Sequence, residues 1–358
     1  MQYSNIIAIK VGIDSVIGNF IFDTGSPALV LDSVFYKGLY KKYKTQKVGV
    51  KGIGEKSQVA NLIVDSLKFK IADRESSFSN KTVVVDLKSF IGNEFDGLLG
   101  IDTFKDASFK INFPENTIEL TDNLDGFEKI ETQVINGRFY IIAEIELANG
   151  QKEKGLFLLD TGSSTSTLNN IPHLINAIAS DDTAHKFFAI GGIGGESNGY
   201  KISTKKIQLG GYSLKKKPIE LSTDKSGTYS KKEYSGVIGN DILQHFDVII
   251  DRKNCAIYLK PNIYFNFRNY KDLNLDFDVL DSKDLYKSWI VAGIYEDSDA
   301  YKKGIRLNDR IVKIDSVEVF NLNISTWRST IKRNQKVLIS FLSSDNILKT
   351  EVILLNKS

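Results

Sequence analysis

Two aspartates stand on the same tripeptide in the same setting. Asp23 closes the apolar run FIFD before Thr24 and Gly25, and Asp160 closes LFLLD before Thr161 and Gly162. An apolar run ending in Asp-Thr-Gly reads as a strand that delivers a carboxylate to a tight turn, with Gly letting the backbone double back and another chain come close. Two carboxylates sharing one site do not both ionise readily. One keeps its proton and can polarise a carbonyl, while its neighbour stays charged and can take a proton from water, so one pair supplies both acid and base. A lone Asp-Thr-Gly is ordinary turn chemistry; the second copy and its surroundings carry the weight.

Those surroundings repeat as well. FDGLLGIDTFKDASFKINFPENTIEL (Phe95 to Leu120) aligns without gaps on YSGVIGNDILQHFDVIIDRKNCAIYL (Tyr234 to Leu259), matching Gly97 to Gly236, Gly100 to Gly239 and Asp102 to Asp241 at a separation of 139. The two Asp-Thr-Gly copies are 137 apart, and Gly52-Ile53-Gly54 matches Gly192-Ile193-Gly194 at 140. Three motifs recur in one order at nearly one offset, so the same half is present twice.

The elements that must position these residues are mostly strands. IIAIKVGI (6 to 13), NFIFD (19 to 23), TVVVDL (82 to 87) and FYIIAEIEL (139 to 147) are β-rich runs bounded by Gly, Asp or Ser. Short helices are predicted at Ser33 to Tyr40, Asp102 to Lys105, Pro172 to Ala179 and Asp241 to Gln244. The polar run Thr121 to Gly126 marks the boundary between halves.

With these residues in view, the repeat resembles the pepsin and retropepsin superfamily of aspartic proteases, as a fused pair of retropepsin-like halves of bacterial kind. The resemblance covers about residues 1 to 262. It implies an all-β-dominated, bilobal acid-protease fold built from two β-barrel halves, 1–125 and 126–262. It also implies an endopeptidase whose catalytic residues are Asp23 and Asp160. Thr24 and Thr161 would bond across to the opposite half's turn, and Gly25 and Gly162 would permit close approach. Ser26 and Ser163 could each donate a hydroxyl to a carboxylate and favour its ionised form, leaning the enzyme toward acidic working pH. IGGIGG (Ile190 to Gly195) is similar to a retroviral flap tip. Gly52, Ile53 and Gly54 and Gly192, Ile193 and Gly194 are therefore expected on two flaps over a peptide cleft, the second and more glycine-rich being the more mobile. Both halves lie in one chain, so a complete site is expected in the monomer, with a peptide or protein as substrate. The rival reading is a catalytically inactive peptide-binding protein on the same scaffold.

Beyond Pro261 the repeat ends. SWIVAGIYEDSDAYKKGIRLNDRIVKIDSVEV reads as a strand, a short helix ending at Gly304, and a strand from Arg310 to Ile314. This order resembles a small α+β PDZ domain over 263–358, with Ser298-Asp299-Ala300, Lys303-Gly304 and Asn308-Asp309 at the family's characteristic steps. The resemblance implies a peptide ligand at the loop Leu275-Asp276-Phe277, where Asp276 replaces the usual Gly and places a negative charge against carboxylate capture. Packing against the protease halves, or acting as a spacer, is the alternative role.

Composition narrows the other classes. With 358 residues, 42% hydrophobic and 25% charged, the chain falls among ordinary globular proteins with room for two or three domains. Its 47 basic and 44 acidic residues are interspersed, and Lys215 to Lys217 and Lys231-Lys232 are short solvated runs, so no nucleic-acid partner is expected. No cofactor or metal is expected either. His173, His185 and His245 lack ligand spacing. Asp276, Asp278, Asp281 and Asp284 imitate a calcium loop, but Asp281 stands where such a loop requires Gly. Gly191 to Gly195 lacks the Lys-Ser/Thr ending of a phosphate loop. The single cysteine, Cys255, excludes an intrachain disulfide and is expected to pack in the core of the last barrel strand. No apolar run reaches the length of a membrane-spanning helix. The opening MQYSNIIAIKVGI runs straight into a strand rather than reading as a secretory signal. The compartment stays open, secreted or periplasmic if the chain is a mature form stripped of its leader.

Overall fold

The structure is a computed structural model that describes residues 6–50, 58–79, 81–104, 107–178, 181, 183–192, 195–266, 277–282, 286–332 and 334–355. It is dominated by strand, 52% against 13% helix. Alternation sets the strand faces. Along Arg138–Leu147, Phe139, Ile141, Ala143, Ile145 and Leu147 are buried on one face, while on the other Tyr140 is buried in a second cluster and Ile142, Glu144 and Glu146 are only partly covered.

The repeat becomes a repeated pairing scheme. In the second half Arg138–Leu147 pairs with Lys152–Leu159, which runs parallel to Gly236–Ile238. That strand pairs with Thr167–Leu168, then come Pro218–Ser222 and the long Glu196–Leu209, which returns to Arg138–Leu147 and closes a six-strand barrel. In the first half Ala8–Ile13 and Val16–Asp23 form the opening hairpin. Gly97–Gly100, Leu29–Asp32, Thr82–Val85 and Gln58–Ile63 follow in the same parallel and antiparallel senses. Here the return to Ala8–Ile13 is made by a separate strand, Ser66–Ile71. The glycines of the GLLG and GVIG runs are explained by crowding. A Cβ at Gly97 or Gly236 would overlap the carbonyl oxygen of Val30 or Thr167 on the adjoining strand.

A five-stranded sheet joins the halves. Its centre is the antiparallel pair Ser108–Asn112 with Phe246–Asp251, where Lys110 lies opposite Ile249. These two residues are 139 apart, the offset of the repeat, so a local two-fold axis passes through this pair. Beneath it Arg252 donates to Asp102 (2.8 Å) and to the carbonyl of Gly137 (3.0 Å), and Lys81 reaches the same carboxylate at 2.7 Å. One hydrophobic cluster runs through both halves.

The C-terminal segment has a separate buried cluster around Trp289, Ile311, Ile339 and Phe341. It contains the strands Phe277–Ser282, Ser288–Tyr295 and Arg310–Ile314, the helices Asp299–Lys302 and Ile324–Thr330, and the hairpin Gln335–Leu342 with Leu348–Leu355. Ser298 caps the first helix by accepting from the amide of Tyr301, and Gly304 ends it with φ of 89°. Its sheet is continuous with that of the second half, because Ser288–Tyr295 also pairs with His185–Ile190.

The first helix is shorter than the sequence predicts, and two others start one residue earlier. Asp32 accepts from the amides of Val34 and Phe35 and starts a helix over Ser33–Lys37, which stops at Gly38 before Tyr40. The run from Asp102 is a 3₁₀ turn, Ile101–Phe104, with Lys105 outside the described residues. The others are Pro172–Ile178 and Asn240–Leu243. Cys255 corrects the expectation of core packing: it is exposed, with φ of 52°, in the turn between Phe246–Asp251 and Ala256–Pro261.

Candidate active site

Asp23 is the last residue of Val16–Asp23, held opposite Gly100 on the parallel neighbour. Asp160 follows Lys152–Leu159, and its amide donates to the carbonyl of Ile238 at 3.0 Å. The two repeated halves thus deliver two carboxyls to one place.

Between them lies a crossed hydrogen-bond network. The hydroxyl of Thr24 donates to the Leu159 carbonyl (2.8 Å) and accepts from the Thr161 amide (3.0 Å). The hydroxyl of Thr161 donates to the Phe22 carbonyl (2.7 Å) and accepts from the Thr24 amide (3.2 Å). Both threonines are fully buried. The glycines set the spacing: a Cβ on Gly25 would lie 2.6 Å from the carboxyl carbon of Asp160, and one on Gly162 would lie 2.7 Å from that of Asp23. No other residue type leaves room for each carboxyl against the opposite turn.

Both aspartates keep partial access to solvent, as a site for water and substrate needs, yet the protein packed around them raises both pKa values. Asp23 is raised well above its ordinary 3.8, first by burial, then by the charge of Asp160 and the hydrogen bond to it, against the amides of Ser26 and Gly25. Asp160 is also raised by burial, but the amide of Gly162 (2.8 Å), the hydrogen bond from Asp23 and the amides of Gly25 and Ser163 oppose the rise. The pair titrates as a unit. Its donors favour Asp23 as the proton carrier and Asp160 as the ionised partner.

The expected role of the two serines is corrected. Ser163 donates its hydroxyl to the Thr165 carbonyl (2.8 Å), and Ser26 accepts from the Ala28 amide (3.3 Å). Both hydroxyls close their own turns, and the main-chain amides reach the carboxylates instead.

Several groups around the pair have no sequence signal. Arg138 donates its Nε to the carbonyl of Gly25 (2.6 Å), and Asn240 donates Nδ2 to the carbonyl of Thr161 (2.7 Å), so each turn is anchored from behind. Leu158 precedes Asp160 by two residues and shares its strand face. It packs with Tyr140, Tyr229, Tyr234 and Val237 as an aromatic wall beside that carboxyl. The first half has a separate aliphatic cluster instead, with Val30, Val85, Leu87 and Leu98. Behind the second turn Asp241 accepts from the Ser166 hydroxyl (2.5 Å) and amide, and burial pushes its carboxyl up to about 6. Glu220, held by the hydroxyls of Thr165 and Thr167, is pushed up to about 7, again by burial.

The flap calls for two hairpins. Gly52, Ile53 and Gly54 lie outside the described residues, between the paired strands Thr45–Val50 and Gln58–Ile63. In the second hairpin, His185–Ile190 with Glu196–Leu209, Gly192 has φ of 65°, and the amide of Gly191 donates to Gly195 at 2.7 Å. Ile193 and Gly194 lie outside the described residues. So do Leu275 and Asp276, while Phe277 is buried in the C-terminal cluster.

Of the histidines, His245 is buried and held down to about 4 by burial and Lys217, while His185 contacts Asp297. Among the described residues, no group of three His, Cys, Asp or Glu could hold a metal, and no helix is long and apolar enough to cross a membrane. Comparison with protein-family models and with curated proteins found no match.

Proposed function

We propose that this chain is an aspartic endopeptidase of the pepsin and retropepsin kind, with two fused retropepsin-like halves and a C-terminal PDZ-like module. The crossed Thr24/Thr161 network carries this reading, because it fixes two carboxyls of opposite halves around one shared proton. Turn chemistry alone requires no such bridge.

Asp160 in its ionised form is the base. With a water held between the carboxyls, Asp160 takes a proton from it as the oxygen attacks the scissile carbonyl, while Asp23 gives its proton to the carbonyl oxygen. The result is a neutral gem-diol. Breakdown runs the transfers in reverse: a carboxyl proton goes to the leaving nitrogen and the other carboxylate takes a hydroxyl proton. The Gly25, Ser26, Gly162 and Ser163 amides hold the carboxylates while the charge changes sides. An extended peptide would lie between the aromatic wall of the second half and the aliphatic wall of the first.

The test is incubation with a mixed peptide library from acid to neutral pH, with products mapped by mass spectrometry, beside Asp23→Asn and Asp160→Asn and with a pepstatin-like statine as inhibitor. Hydrolysis abolished by either substitution and by the statine is expected. Products formed equally by wild type and both variants would refute the proposal, and a wild type that binds peptides without cleaving them would leave a binding protein.

A further inference from the structure

The strand His185–Ile190 of the second flap has two partners. One edge pairs with Glu196–Leu209 of its own hairpin. The other pairs with Ser288–Tyr295, placing Phe187, Phe188 and Ala189 opposite Tyr295, Ile294 and Gly293. The Glu296 amide extends the ladder to the carbonyl of Lys186 at 2.8 Å.

Side chains reinforce the same seam. Lys186 pairs with Glu296 at 3.0 Å, His185 meets Asp297 at 2.6 Å, and Asn308 donates to Glu196 at 2.8 Å. Phe188 stacks on Tyr301 with ring centres 5.7 Å apart and planes 9° from parallel. A cation caps each end of that stack, Lys186 at 5.2 Å from the Phe188 ring and Arg306 at 3.8 Å from the Tyr301 ring. The first flap has no such support: Thr45–Val50 is the last strand of its sheet among the described residues.

The module also stands on the first half. The amide of Asn93, just past the helix Lys88–Ile91, donates to the carbonyl of Asp281 at 3.0 Å. Beside the Asn308–Glu196 bond lies a cavity of about 910 Å³, lined by Ile190 and Gly195 of the hairpin and by residues of the module such as Arg310 and Asn346. The flap is therefore joined to the module along its strand from Lys186 to Ala189 and through Glu196, with open space beside the turn.

We propose that the C-terminal module is the brace of the second flap. It holds the outer strand of the hairpin by strand addition and bridges it to the first half, and the cleft opens for substrate only when the seam at Phe187–Ala189 loosens. A hairpin alone is a low-stability element that opens readily; a third strand along its edge raises the cost of that motion. This inference rests on the peptidase reading for its consequence in turnover, but not for the coupling itself.

Two experiments separate those parts. In the first, hydrogen exchange is followed in wild type and in Glu296→Ala/Tyr301→Ala. The variant's amides over Lys186–Gly199 should exchange at least ten-fold faster, with the barrel strand Lys152–Leu159 and the module strand Gln335–Leu342 unchanged. Lys186→Ala, made from the flap side, gives the same readout should the double variant loosen the module. Unchanged flap exchange in both would overturn the brace.

In the second, Ala189→Cys/Gly293→Cys is made in a Cys255→Ser background. The Lys186/Glu296 bond fixes the parity of the ladder, so Ala189 and Gly293 face each other as a non-hydrogen-bonded pair, about 4.5 Å between Cα atoms and within disulfide range. A Cβ at Gly293 meets only ordinary contacts, the nearest Cβ of Asp278 at 3.5 Å. Oxidised, this protein should cleave a short peptide at least ten-fold more slowly than after reduction. Equal rates in both states would overturn the gating. If no state hydrolyses peptide while flap exchange still answers to Glu296 and Tyr301, the brace stands and the peptidase reading falls.

Discussion

Thr24→Val tests the crossed network with the least change of shape. Val fills the same fully buried volume but removes the hydroxyl that donates to Leu159 and accepts from the Thr161 amide. One amide then loses its acceptor in a place water does not reach, at about 1–3 kcal/mol, and one further hydrogen bond is lost at about 1 kcal/mol. The sum is a destabilisation of about 2–4 kcal/mol. Thr24→Ser keeps both bonds and loses a methyl, about 1 kcal/mol. Urea unfolding followed by far-UV circular dichroism reads all the sheets, most of them in the two halves, whereas fluorescence reads the C-terminal module, where Trp289 and Trp327 both lie. The Val variant should lose its dichroism transition at lower urea, while the Ser variant stays near wild type. Because the hydroxyl also sets how the two turns meet, kcat/KM should fall about 100-fold in Thr24→Val and by far less in Thr24→Ser. A Val variant within about 0.5 kcal/mol of wild type, or Val and Ser variants of equal activity, would refute the view that these hydroxyls hold the dyad.

Asp23→Asn and Asp160→Asn should each lower kcat/KM by about 10³-fold or more while keeping the wild-type dichroism spectrum; near wild-type turnover in either would end the shared-proton mechanism. The pH profile of kcat/KM should be a bell, falling on the acid side as Asp160 is protonated and on the alkaline side as Asp23 loses its proton. Both carboxyls are raised above 3.8, so both limbs should lie above that value; an acid limb below it, or a rate still rising beyond pH 9, would contradict the assignment. For Glu220, lifted from 4.5 to about 7, the raised folded-state pKa gives stability that is present below about 4.5 and lost as pH rises through 7. Glu220→Gln should therefore gain about 1–3 kcal/mol on wild type between pH 4 and pH 8, read by urea unfolding at the two values, and an equal difference at both would show that the carboxyl is not strained. Specific activity should hold constant on dilution, because the two turns that meet belong to one chain; a steep loss restored by concentrating would place the site between chains.

What the sequence made legible and what it hid divide along physical lines. Asp23, Thr24, Gly25 and their second copies could be read because a carboxylate on a tight turn, beside another backbone, tolerates few residue types. The pairing scheme follows from the same repeat, since the glycines at 97 and 236 are fixed by contact with a neighbouring carbonyl. Arg138 and Asn240 could not be read: each acts on the main chain of a residue distant in sequence, with no local pattern to announce it. Ser26 and Ser163 were visible as residues but not in role, because a hydroxyl beside a turn can serve the carboxylate or the turn, and local geometry chose the turn. The seam between flap and module had no signal either. A strand exposes the same backbone groups to any partner, so pairing across a domain boundary leaves little trace in side-chain type.

The two halves share a backbone plan but not an environment, and the difference bears on how one dyad would perform the two roles proposed for it. Four threonine bonds cross the axis almost symmetrically, so the scaffold alone does not choose which carboxyl holds the proton. The choice comes from details that break the symmetry. The amide of Gly162 lies 2.8 Å from Asp160, and Arg138 draws on the carbonyl of Gly25 in the opposite turn. The small clusters of the halves differ too, aromatic in the second and aliphatic in the first, which would present unequal surfaces to the two sides of an extended peptide. Only the second flap carries a third strand on its edge among the described residues. A homodimer must repeat every such feature on both sides; a fused chain can place the proton, the aromatic wall and the braced flap on chosen sides.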